Sequence, residues 1–375
     1  MRPHLAAVEA ALAQPGSRAL IPTPALVLDL EAFEANIARM QARANAAGLA
    51  LRPHAKSHKC AALARRQVEA GAVGVCCAKL AEAEALAAAG IGQILVTSPI
   101  VGAGPAARAA ALAAALPDFR IVVDHPDGAA ELGAAARAPI QVLIDVDPGL
   151  GRTGAHDPEQ AVAVFRAIAA QPNLKFLGVQ CYGGDWQHLE GANARAAAVA
   201  DGMGRLKGVM AALRTAGAEI GVVTGGGTGT FAADAAQGVL NEVQPGSYAF
   251  MDRDYRDALK GDPDGDFEQA LSVAATVIST NHPKWVTVDA GLKAFATDAG
   301  VPVALTPRFE GCAYRFFGDE HGRLARPDAP VARGERVDFM PPHVDPTFDR
   351  YDVLFLVRGD TVVEIAPIEA RGASQ

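Results

Sequence analysis

The chain has 375 residues and a mass of 38.7 kDa, with 50% hydrophobic and 20% charged residues, values that exclude wholesale disorder. Its 34 basic and 42 acidic side chains leave a formal net charge of −8, which argues against nucleic acid or an anionic membrane as a main partner but not against an anionic small molecule. The odd set Cys60, Cys76, Cys77, Cys181 and Cys312 contains no CxxC pair, so no disulfide framework is expected and a reducing cytoplasm is the natural setting. No apolar stretch approaches the ~18 residues that a membrane span needs. At the amino end, Glu9 interrupts the apolar stretch Leu5–Ala13 behind Arg2, and Ala13-Gln14-Pro15-Gly16-Ser17 reads as a loop, so no secretory leader is expected.

Short β-rich runs alternate with alanine-rich helical stretches through the first two thirds. The candidate strands are Ala25–Leu30, Ala50–Pro53, Gly74–Cys77, Gln93–Thr97, Arg120–Asp124, Ile140–Val146, Phe176–Tyr182, Ile220–Thr224 and Glu242–Gln244. Helical stretches between them include Leu30–Ala47, Lys79–Ala89, Ala106–Leu116, Pro158–Ala170 and Asn193–Ala216. Apolar strands alternating with helices predict a parallel sheet covered by helices; an open doubly wound sheet accommodates the pattern, but the regular alternation favours a (β/α)8 barrel of TIM type. Nine candidates for eight places put either the first or the last outside the barrel. After about Asp254 the alternation stops. Apolar runs at Ser272–Ser279, Trp285–Asp289, Val331–Phe339, Val353–Arg358 and Thr361–Ile365 predict a mostly antiparallel β domain. The division expected is a barrel over residues 30–255 and a β domain from residues 1–29 and 256–375.

Several strand ends carry residues suited to chemistry. Arg52-Pro53-His54-Ala55-Lys56-Ser57-His58-Lys59 falls at the carboxyl-end rim, where barrels place their sites. A lysine desolvated there has a lowered pKa, as Schiff-base chemistry requires; a basic turn with a solvated lysine is the alternative. His54 and His58 are four apart, but Ala55 stands where a zinc helix carries glutamate, and Pro53 puts His54 before any helix. Asp145-Val146-Asp147-Pro148-Gly149-Leu150-Gly151-Arg152 closes another strand, and its arginine suits a ring nitrogen or a carboxylate. Gln180 and Tyr182 share a face of their strand, Tyr182 being able to pack on a cofactor ring, and His188 has a pKa suited to proton transfer.

Thr224-Gly225-Gly226-Gly227-Thr228-Gly229-Thr230 and Gln244-Pro245-Gly246-Ser247-Tyr248 follow the last two strands. Counted with Ala50–Pro53 as first, these are strands seven and eight, where barrels frequently bind phosphate. A phosphate cup together with a rim lysine points to pyridoxal 5'-phosphate. In the β domain, His343 and Asp345 lie two apart, on one face if the segment is extended, and suit a divalent cation.

These motifs, with Asp289-Ala290-Gly291-Leu292-Lys293 and Pro342-His343-Val344-Asp345-Pro346-Thr347, resemble the D-threonine aldolase and D-serine dehydratase group. That group comprises fold-type III pyridoxal-phosphate enzymes with an alanine-racemase-like barrel. The resemblance runs from about Ile21 to Gly372 and is strongest to D-threonine aldolases and 3-hydroxy-D-aspartate aldolases. It implies that Lys56 carries the cofactor as an imine and that His343 and Asp345 hold the metal, manganese or magnesium first, cobalt or zinc as alternatives. It implies cofactor contacts from Arg152, Gln180, Tyr182, Thr224, Gly226, Gly227, Thr228, Ser247 and Tyr248, and a catalytic proton acceptor in His188. It moves Ala25–Leu30 into the β domain and implies a homodimer. The substrate implied is a β-hydroxy-D-amino acid, cleaved to glycine and an aldehyde. D-serine dehydratases of this group have cysteine where Asp345 stands, which favours the aldolases. No motif around Tyr314 or Tyr351 matches the tyrosine base of alanine racemases. The rival activities are a dehydratase giving a 2-oxo acid and ammonia, a non-catalytic cofactor carrier, and a metal hydrolase built on His54, His58 and Asp345.

Overall fold

The computed structural model describes residues 3–375; Arg2, and the part of the amino-terminal reading that rests on it, lies outside the described residues. The first strand, β1 (Ala25–Asp29), does not join the barrel. The eight that follow do: β2 (Ala50–Leu51), β3 (Val75–Cys77), β4 (Ile94–Val96), β5 (Arg120–Val123), β6 (Ile140–Asp145), β7 (Leu174–Cys181), β8 (Val222–Gly225) and β9 (Glu242–Val243). All are parallel, in the order β2-β9-β8-β7-β6-β5-β4-β3. The two ends, β2 and β3, meet at a parallel bridge between His54 and Cys76 that closes the ring.

Side chains alternate across this sheet as a pleat demands. Cys76, Leu95, Val122 and Leu143 form a cluster of their own, separate from the main core. Their neighbours Val75, Cys77, Ile94, Val96, Ile121, Val123, Val142 and Ile144 join the large cluster shared with the helices. The helix Leu30–Ala46 shows why these stretches are helical. Asp29 caps it, accepting from the Glu31 and Ala32 amides, and Phe33, Ile37, Met40 and Ala44 are buried three or four residues apart.

The second sheet has nine strands: β1, β10 (Leu271–Ser279), β11 (Trp285–Val288), β12 (Val303–Ala304), β13 (Tyr314–Phe316), β14 (Gly322–Ala325), β15 (Arg336–Met340), β16 (Val353–Arg358) and β17 (Thr361–Pro367). Every pairing is antiparallel except β1 with β16. Two details differ from the sequence expectation. The run from Val331 becomes a strand only at Arg336, because Gly334 turns the chain with a positive φ of 92°. Strands β12, β13 and β14 carry too few alternating apolar residues to stand out. Among the described residues no helix is long and apolar enough to cross a membrane.

Candidate active site

In a parallel sheet every strand points the same way, so the loops after β2, β6, β7, β8 and β9 gather at one rim. The loop after β2 carries Lys56 in the short turn Ala55–Ser57. His54 prepares this turn: its Nδ1 accepts from the Lys56 amide (3.4 Å), so Nε2 bears the proton and donates to Thr97 Oγ1 (3.1 Å). Burial, helped by the Lys56 charge, lowers the His54 pKa to about 3 and keeps the ring neutral. His58 is likewise engaged at both nitrogens, by the Cys60 amide (3.1 Å) and Gln67 Oε1 (3.2 Å). The two histidines therefore bracket Lys56. Arg52 turns away to the opposite end of the barrel, where its Nε lies 3.1 Å from Glu242.

Lys56 Nζ reaches across to the second sheet and lies 3.1 Å from Asp345 Oδ2. The expectation of a lowered lysine pKa does not hold in this arrangement. The Asp345 carboxylate outweighs burial and raises it, so Asp345 governs the protonation of Lys56. Asp345 also differs from expectation in its backbone. His343 is extended, but Asp345 lies in the first turn of the helix Val344–Phe348. Its Oδ1 is buried without a hydrogen-bond partner, which suits a cation better than a structural role. Burial alone would raise the Asp345 pKa, but Lys56 and His343 outweigh it and keep the carboxylate ionised. His343 Nδ1 lies 2.6 Å from Asp298 Oδ2, leaving Nε2 as the nitrogen for a metal. Burial disfavours imidazolium here, but Asp345 and Asp298 overcome it and raise the His343 pKa. No group of three or more His, Cys, Asp or Glu among the described residues is arranged to hold a metal ion. His343 and Asp345 fit a cation whose remaining positions go to water or substrate.

The glycine-rich loop after β8 wraps the side chain of Gln187. Gln187 Oε1 accepts from the Gly229 amide (2.9 Å), and its Nε2 donates to Thr230 Oγ1 (2.9 Å). Gly226 has φ +67°, and a Cβ at Gly229 would fall 2.4 Å from the Gln187 carbonyl oxygen. Thr228 Oγ1 accepts from the Tyr248 amide (3.1 Å), which ties this loop to the next. Two joined glycine-bearing loops with hydroxyls at Thr228 and Ser247 fit a phosphate. Tyr248 contributes its backbone only, because its ring is buried against Phe267 and its hydroxyl accepts from Gln67.

The remaining expected residues fall into three places. The Arg152 guanidinium lies 5.6 Å from the Tyr182 ring, and Tyr182 feels the charges of Lys56 and Asp345. Gln180 and Thr224 lie deeper, in a polar layer inside the barrel. Gln180 donates to Asp145 (2.9 Å) and accepts from Gln244 (3.3 Å), which also donates to Thr224 (2.9 Å). His188 is half exposed and pairs through Nδ1 with Asp254 Oδ2 (3.1 Å), beside the Tyr255 ring. Its hydrogen bond to Asp254 holds that carboxyl below the usual range.

Sequence reasoning missed Asp254, Asp298 and Gln187. Asp298 reads as an ordinary polar turn in Thr297-Asp298-Ala299-Gly300. Gln187 sits beside a more conspicuous histidine. A capping pattern, Asp252 three residues before Tyr255, was the one available signal for the segment that carries Asp254.

Two family models match the chain: the alanine racemase N-terminal domain over residues 28–254 and a putative serine dehydratase domain over residues 270–357. Over 369 residues it is 40% identical to a D-threonine aldolase of Arthrobacter sp., covering 97% of this chain and 96% of that one. The chain belongs to the D-threonine aldolase family. A 3-hydroxy-D-aspartate aldolase of Paracoccus denitrificans (strain Pd 1222) is 37% identical over 360 residues, with 94% and 92% covered. The crystal structure of a D-threonine aldolase from Filomicrobium marinum superposes with a TM-score of 0.91 at 41% identity, covering 95% of this chain and 98% of that one. The resemblance read from the motifs therefore stands, and with it membership in a family of pyridoxal-phosphate-dependent carbon–carbon lyases.

Proposed function

We propose that the protein cleaves the Cα–Cβ bond of β-hydroxy-D-amino acids of the D-threonine type, giving glycine and an aldehyde. Lys56 would hold pyridoxal phosphate, and His343 and Asp345 a divalent metal, with manganese or magnesium ahead of cobalt or zinc. The observation that carries this reading is the 3.1 Å approach of Lys56, from the barrel rim, to Asp345, from the second sheet. A cofactor on Lys56 and a metal on Asp345 would then share one centre. When bound, the cofactor supplies an electron sink for charge left at Cα and the metal lowers the pKa of the substrate β-hydroxyl.

The chain's own residues do the rest. Gly226, Gly227, Thr228, Ser247 and the Tyr248 backbone would hold the phosphate, and Arg152 and Tyr182 would contact the ring. Gln180 and Thr224 would support the site from the polar layer inside the barrel. His188 accepts the β-hydroxyl proton at Nε2, and Asp254 holds Nδ1–H and stabilises the imidazolium that forms. The resemblance supports a homodimer, and five unpaired cysteines support a reducing cytoplasmic setting.

The test is product analysis with D-threonine on cofactor-loaded enzyme, before and after chelation. Glycine with acetaldehyde, lost on metal removal and regained with Mn2+, is the expected result. A 2-oxo acid with ammonia would make the enzyme a dehydratase. Turnover untouched by rigorous chelation would remove the metal from the scheme. Lys56→Ala should lose both the cofactor's visible absorption and turnover.

A further inference from the structure

We infer that Asp298 is the orienting partner of His343, selecting the imidazole tautomer that presents Nε2 to the metal; this rests on the metal centre proposed above. The contact is short, with Asp298 Oδ2 2.6 Å from His343 Nδ1. A ring nitrogen that donates to an acceptor leaves the other with its lone pair outward, and such a partner fixes the tautomer and orientation of a metal-bound imidazole.

The obvious objection is that Asp298 is 55% exposed, and exposed ion pairs contribute little. The surroundings answer it. The loop bearing Asp298 is fastened directly to the segment bearing His343. Thr347 Oγ1 accepts from the Ala296 amide (3.0 Å) and donates to the His343 carbonyl (2.6 Å). Thr347 is fully buried and Ala296 nearly so. The far end of the loop is held as well, because Arg253 donates to the Val301 carbonyl (2.9 Å). Asp298 is therefore an exposed side chain on a doubly anchored backbone, and little conformational freedom is lost when it meets the imidazole. His188 and Asp254 repeat the design on the barrel side, again through Nδ1. His343 and His188 thus both keep Nε2 for chemistry and give Nδ1 to a carboxylate.

The role assigned is hydrogen-bond acceptance, so charge is dispensable and the acceptor is not. The test compares Asp298→Asn and Asp298→Ala as cofactor-loaded, chelator-stripped holoenzymes. Mn2+ affinity is read by titration with electron paramagnetic resonance, which needs no turnover. Asp298→Ala should weaken Mn2+ binding about 10- to 100-fold, with Tm and the cofactor's absorption band unchanged. Asp298→Asn, whose amide oxygen still accepts from Nδ1–H, should stay within a few-fold of wild type. Equal affinity in wild type and Asp298→Ala would overturn the inference. So would equal loss in both variants, which would make Asp298 a charged ligand in its own right. If wild type itself fails to bind Mn2+, the metal centre falls first and this inference with it.

Discussion

Asp234 lies beneath the glycine-rich loop, 1% exposed, and its Oδ2 accepts from Thr230 Oγ1 (2.6 Å). Its Oδ1 is buried without a partner, and burial pushes its pKa up to about 7. The unfolded chain ionises this group near pH 4 while the folded protein keeps the proton. Stability from Asp234 is therefore fully present below about pH 4, falls as pH rises, and is gone above about pH 7. Asparagine copies the protonated acid and does not titrate. Melting of cofactor-free Asp234→Asn and wild type from pH 5 to 8 should show wild type losing Tm relative to the variant as pH rises; parallel curves would refute this. Asp234 gave no sign of this role in the sequence. The neighbouring glycines did, because only a residue without Cβ tolerates the approach of Gly229 to Gln187. Lys56, His343 and Asp345 were legible as candidates through the family motifs that carry them, since a basic turn with a solvated lysine accounts for the first equally well. Their orienting partners were not, since a carboxylate contacting a histidine from 45 residues away leaves no local pattern.

The last barrel segment and the segment bearing His343 and Asp345 are clamped by one carboxylate and by backbone. Asp252 is fully buried, with Oδ1 accepting from the Tyr255 amide (2.9 Å) and Oδ2 from the Val344 amide (2.8 Å). One carboxylate thus caps the helices Arg253–Ala258 and Val344–Phe348 together. The Arg253 and Asp254 amides add bonds to the Pro341 and Pro342 carbonyls. The clamp fixes the helix bearing Asp254, and hence His188, relative to His343. Asp252→Ala leaves two buried amides without acceptors and should cost about 2–4 kcal/mol. Urea unfolding gives the stability change, and metal titration should show weaker binding in the same variant. The barrel elements were easy to read because alanine-rich helices between apolar strands repeat one period. The short strands β12 to β14 were not, because they depend on partners such as β11 and β15 and have little signal of their own.

Barrel and second sheet are also pinned by Lys59, which sits in the left-handed region at φ 54°. Its Nζ lies 3.0 Å from Asp349 and 3.4 Å from Glu82, with both the lysine and Glu82 side chains under 10% exposed, at 8% and 4%. Burial already raises the Glu82 pKa, with Lys59 opposing it. Lys59→Met removes the buried counter-charge of Glu82, which keeps only its bonds from the Ala78 and Lys79 amides, and should destabilise the protein by about 2–4 kcal/mol. Adding Glu82→Gln should recover part of the loss in a double-mutant cycle; strict additivity would show that the pair does not couple. Strand β1 has a different consequence. It is made early in synthesis, yet it lies between β10 and β16, paired through Leu26–Asp29 with Leu354–Val357. A nascent chain on the ribosome can complete its barrel while β1 waits for a neighbour that emerges almost last. Until β10 emerges both flanks of an apolar ribbon stay open to other chains, and the β16 flank stays open almost to the end, so premature termination after the barrel yields a product prone to aggregate.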